Sequence, residues 1–156
     1  MASRYPLPVA PPAPANTIDS VRDRLGGRGE SLPGVGALVR IPSGGGTTRP
    51  GVVLFASEDR FDVWIGSRQV RRVLRSDVEP CDEPPTDEML VVSSDARVFS
   101  QLQEGTHVRF NPAAIRHDEG TIAEKCRYGA LVRRADGSLV GVGFQKLWPV
   151  GDGTAN

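Results

Sequence analysis

The chain is poor in the residue types that usually carry chemistry. Two cysteines and two histidines among 156 residues fall in no CxxC or Cys/His spacing, so a zinc site has no support in the pattern. Cys81 and Cys126 read instead as reduced, structural thiols. Aromatic residues are only 6% of the chain and the formal net charge is zero, which excludes a uniformly basic DNA-binding domain. Long apolar runs are missing, and prolines interrupt "MASRYPLPVAPPAPAN" where a signal peptide needs a continuous apolar core. A soluble, cytoplasmic protein with no membrane partner is expected.

Catalytic constellations are equally scarce. His107 sits within a predicted strand, and His117 precedes Asp118 in a predicted turn; no GxSxG elbow or activated cysteine accompanies them. The run Gly44-Gly45-Gly46 leads into "TTRPGVV", a strand rather than the GK[ST] and helix of a phosphate-binding loop. It reads as a turn. No catalytic residue, cofactor or metal ligand is assigned, and the chain is expected not to be an enzyme.

Short segments rich in Val, Ile and Phe, broken by Gly, Pro and Asp, make up most of the sequence. Residues 1–16 are expected to form a disordered, proline-rich tail. Residues 17–28 predict one short helix, with a cap at Asn16 or Thr17, a stripe of Ile18, Val21 and Leu25, and Gly26 as its stop. Strands are predicted at "ALVRI", "GVVLFAS", "FDVWIG", "QVRRVL", "EMLVV", "THVRF", "GTIAEK", "GALVRR" and "LVGVGF". That succession argues for an all-β sandwich or small barrels.

The sequence also repeats itself. An ungapped offset of 69 residues superposes Gly36 on Gly105, Val39 on Val108, Arg40 on Arg109, Gly51 on Gly120, Val63 on Val132, Val73 on Val142 and Pro80 on Pro149. Positions apolar in both copies should face the two cores, because a strand alternates sides. They include Ile41 with Phe110, Val53 with Ile122, and Val78 with Leu147. Trp64 pairs with Arg133 and Trp148 with Glu79, so both tryptophans are expected to point away from their own barrel.

Each copy opens with G-x-x-V-R-[I/F], continues through G-[V/T]-[V/I], and closes at "DVEP" or "KLWP". This resembles the small SH3-like barrel of Tudor, Agenet and KOW-type modules. The resemblance implies two tandem SH3-like barrels, over residues 34–81 and 101–150, joined by an acidic linker plus strand over 82–100. A Tudor cage needs several convergent rings. Phe55, Phe61 and Trp64 offer them in the first copy, whereas the second has Glu124, Ala130 and Arg133. A second resemblance is to PilZ domains, through "RQVRRVLR", "VVSSDARVFSQLQEGTHVRF" and "GVGFQKL". It implies a link to cyclic di-GMP, but Val92 and Arg97 stand where that family has Asp/Asn and Gly, which argues against the nucleotide.

A binding or regulatory module is the resulting expectation, with a protein as the first partner. Trp64, Trp148 and Phe55, the interdomain groove, and Ile18, Val21 and Leu25 of the helix are its candidate contacts. The alternative partner is nucleic acid, held by Arg68, Arg71, Arg72 and Arg75, since four arginines within eight residues suit backbone phosphates.

Overall fold

The computed structural model describes residues 17–28, 34–113 and 116–150; the predicted tail lies outside them. Helix α1 (Ile18–Arg24) is followed by strands β1 (Leu38–Gly44), β2 (Thr47–Ala56), β3 (Arg60–Gly66), β4 (Gln69–Leu74) and β5 (Glu79–Pro80). Helix α2 (Asp87–Gln101) then leads into β6 (His107–Ala113), β7 (Arg116–Lys125), β8 (Gly129–Arg134), β9 (Leu139–Gly143) and β10 (Leu147–Pro149). The strands form two five-stranded antiparallel sheets, ordered β4-β3-β2-β1-β5 and β10-β6-β7-β8-β9. The fold is thus mostly β, with two α-helices rather than one. Neither sheet closes on itself, because β4 does not pair with β5, nor β9 with β10.

Read from the final strand of each half, the two orders are the same, and the offset of the sequence repeat recurs in the pairing register. Val39 faces Gly51 and Val108 faces Gly120; Val53 faces Val63 and Ile122 faces Val132; Val39 faces Pro80 and Val108 faces Pro149. Register shifts also coincide, between Val53 and Phe55 and between Ile122 and Glu124. Entry turns match as well: Gly36 N–H donates to Val53 O at 2.7 Å, and Gly105 N–H to Ile122 O at 2.8 Å. A Cβ on Gly51 or Gly120 would collide with Val63 or Val132 of the neighbouring strand, so the close crossing is the physical reason for both glycines.

The positions apolar in both copies are where alternation places them. Val39, Ile41, Val53 and Val63 are buried in one cluster, with Val73 and Val78 packed against it. Val108, Phe110, Ile122, Val132, Val142 and Leu147 are buried in another. That second cluster also takes in Met89, Val92, Ala96 and Phe99 of α2, and Val52, Leu54 and Trp64 from the opposite face of the first sheet. Helix α2 therefore lies between the units.

A helix at α2 corrects the strand predicted at "EMLVV" and the linker-plus-strand assigned to 82–100. Val-rich composition suggested a strand, yet Met89, Val92, Ser93, Ala96 and Phe99 recur at helical spacing and are all buried. Thr86 Oγ1 caps the helix by accepting from Met89 N–H at 3.1 Å, and Asp87 and Glu88 occupy the first turn, favourable positions beside the partial positive charge of a helix start. Thr17 accepts from Ser20 N–H in the same way at 3.2 Å, 69 residues earlier. Each half is therefore a threonine-capped helix followed by five strands. The helices are crossed over: α1 packs on β8 and β9 of the second sheet, while α2 packs on β2 of the first as well as on the turn Phe144–Lys146 of its own half.

Candidate binding cleft between the two units

Docking of α1 builds one wall of the cleft. Val21 and Leu25 bury themselves with Cys126 and Leu131, over Gly141 and Gly129, where a Cβ would overlap Val21 and Leu25. Arg22 grips Glu124 through Nη2 to Oε1 at 2.8 Å and through Nε to Oε2. Arg22 holds the Glu124 carboxyl below the usual carboxylate range, chiefly through that hydrogen bond. Beyond the helix, Leu25 O accepts from Tyr128 N–H at 2.9 Å and Gly27 O from Arg127 N–H at 3.0 Å, so α1 clamps the turn between β7 and β8.

That turn reaches across to the first sheet. Asp62 of β3 is 2% exposed, and a buried carboxylate is tolerated only when its lone pairs are answered. Arg72 Nε donates to Oδ1 at 3.1 Å, the Tyr128 hydroxyl donates to Oδ2, and Arg127 Nη1 stands 3.7 Å from Oδ2. Arg127 also lies 4.8 Å over the Phe55 ring. Burial and the bond to Asp62 push the Tyr128 phenol up to about 12, which keeps it a donor at neutral pH.

Beside this junction, a cavity of about 510 Å³ opens between the units, within the size range of small-ligand and side-chain pockets. Its lining joins Leu54, Trp64 and Val70 from the first sheet to Tyr128 and Phe144 from the second, with Arg24, Arg68 and Lys146 also contributing. No carboxylate lines it among the described residues. A surface of this kind can hold an anion beside an apolar group.

The predicted residues are distributed differently from the sequence reading. Trp64 does point out of its own sheet, but it is 6% exposed because α2 and the second unit cover it; part of its edge lies in the cleft. Phe55 is 9% exposed beneath Arg127. Val21 and Leu25 are covered by the chain's own second sheet, so Val21 is corrected from a partner contact to internal packing, while Leu25 packs there too and turns only an edge to the cleft. Ile18 and Trp148 remain 45% and 38% exposed. Phe55, Phe61 and Trp64 do not converge into a cage, since Phe61 packs with the first sheet's interior and Trp64 with the other cluster.

The arginine strand is divided too. Arg71 donates to Pro42 O at 3.2 Å, Arg72 to Asp62, and Arg75 to Ser57 O at 2.8 Å while lying 4.5 Å over the Phe61 ring. Alternation puts Arg71 and Arg72 on opposite faces of β4. Arg68 lies outside the strand, in the β3–β4 turn, and among the described residues makes no hydrogen bond or ion pair. Sequence reasoning missed Arg24, Val70, Tyr128, Phe144 and Lys146 as cleft residues. They are scattered over both halves, and no local period in the sequence links them. Gly44 ends β1 and Gly45-Gly46 form the exposed β1–β2 turn, with open space where a Cβ would stand at all three.

No protein-family model matches the chain, and no curated protein sequence matches it.

Proposed function

We propose that the chain is a non-catalytic binding module, two SH3-like units in tandem, that takes a segment of a partner protein in the cleft between them. The cleft carries this reading: an apolar and aromatic floor supplied by both units, rimmed by cations, is the composition of an interface anchor site. The SH3-like assignment draws support from the five-strand meander in which β5 and β10 return beside β1 and β6. Trp148 and Ile18 are further contacts outside the floor.

Affinity recovery with the full chain, identifying protein and nucleic acid in the same eluate, tests the reading. A protein retained by wild type and released by Val70→Glu, at the exposed rim, is the expected result. Nucleic acid alone in the eluate, lost on Arg71→Ala, would replace this reading with the arginine-strand alternative.

A further inference from the structure

The connection between β3 and β4 and its counterpart between β8 and β9 fall at matching sequence positions but differ in length, two residues against four. In the second unit the matching positions are Asp136 and Gly137, of which only Gly137 takes a positive φ, +88°, a conformation open to glycine at no steric cost. In the first unit the same positions are Ser67 and Arg68, at φ +49° and +64°. Side chains beyond glycine, Asn and Asp seldom enter this left-handed region, because Cβ crowds the following carbonyl. Nothing around the turn explains the choice of arginine: Gly66 beside it has open space, and Arg68 is exposed without a hydrogen bond or ion pair among the described residues. What the turn does place is a cation on the wall of the cleft, together with Lys146.

We infer that Arg68 is a ligand-recognition residue held at a conformational cost, and that with Lys146 it receives an acidic side chain of a peptide whose neighbouring apolar side chain enters over Leu54, Val70 and Phe144. Strained backbone clusters where function requires it, and among the described residues the two non-glycine positions with positive φ, Ser67 and Arg68, form the turn that brings Arg68 to the cleft. Charge complementarity selects the occupant: a rim that carries Arg68 and Lys146 and, among the described residues, no carboxylate repels a basic peptide and attracts an acidic one. This inference rests on the protein-binding reading above and names the chemistry of its partner.

Calorimetric titration of the full chain tests it, using a short capped peptide of glutamates around a leucine-phenylalanine pair, its lysine-for-glutamate counterpart, and a single-stranded oligonucleotide. The glutamate peptide should bind with an affinity that falls with salt. Arg68→Gly and Lys146→Ala should each weaken it about tenfold or more, whereas Arg71→Ala should leave it unchanged. At the same time Arg68→Gly should unfold about 2–4 °C higher than wild type, as strain is relieved. Equal binding by Arg68→Gly, a lower unfolding temperature for it, equal binding of the lysine peptide, or no saturable binding would each overturn the inference. A native protein partner whose recovery ignores Arg68→Gly would overturn it while leaving the protein-binding reading standing. Tighter binding of the oligonucleotide, weakened by both Arg68→Gly and Arg71→Ala, would overturn both.

Discussion

Asp62 and Tyr128 show how one pair of side chains joins two halves that the chain separates by 66 positions. The carboxylate is buried, so removing a donor leaves an oxygen short of a partner; Tyr128→Phe should cost about 1–3 kcal/mol, measured by urea unfolding. The same bond makes stability depend on pH in a defined direction. With the phenol raised to about 12 from its ordinary 10, its contribution is fully present below pH 10 and is lost as pH rises through about 12. Wild type should therefore lose stability across that window, and Tyr128→Phe should lack this limb of the profile. Identity at Asp62 is legible from the sequence, but its burial is not, since Leu131 holds the equivalent place in the second unit and gives no hint of a charge.

At the scale of elements, α1 and α2 are the parts that sequence and structure treat most differently. Thr17 and the stripe Ile18, Val21, Leu25 made α1 readable, with its extent of Ile18–Arg24 inside the predicted 17–28. A two-turn helix is marginal alone, so its docking decides whether it forms. Gly141→Ala, by placing a methyl group against Val21, should destabilise the protein by about 1–3 kcal/mol through overpacking, read from the urea midpoint. Acid should loosen the same helix. Arg22 holds the Glu124 carboxyl low, so its contribution is present above the ordinary carboxylate pKa and lost as pH falls through the lowered one. Glu124→Gln should be less stable at neutral pH and should lose less on acidification, measured by denaturant unfolding at each pH. For α2, the β-branched Val91 and Val92 outweighed a spacing of buried positions that was already helical.

Across the whole molecule, crossing of the helices makes the two units interdependent. The largest cluster draws on α2, on the interior of the second sheet and on the outer face of the first, with Trp64 beside Val52 and Leu54 as the first sheet's contribution. Trp64→Ala should cost about 3–5 kcal/mol and lower cooperativity between the units, whereas Trp148→Ala, at 38% exposure, should leave the unfolding midpoint within about 0.5 kcal/mol of wild type. Calorimetric unfolding of both variants distinguishes the two tryptophans, which the repeat alone treats alike. Among the described residues no helix is long and apolar enough to cross a membrane.

Sequence by itself determined what depends on local chemistry: strands at the Val-, Ile- and Phe-rich segments other than "EMLVV", the duplication at an offset of 69, and which face of each strand is apolar. These follow from period-two alternation and from turns that only certain residues make, so they are written position by position. Tertiary structure alone decided what covers each outer face. Trp64 became part of a cleft floor, Val21 and Leu25 became packing, and Arg68 was separated from the other strand arginines and brought to the same cleft lining as Lys146, 78 positions away. The physical reason is that burial of an outward side chain depends on a second surface brought to it from a distant part of the chain, and no local period records that approach.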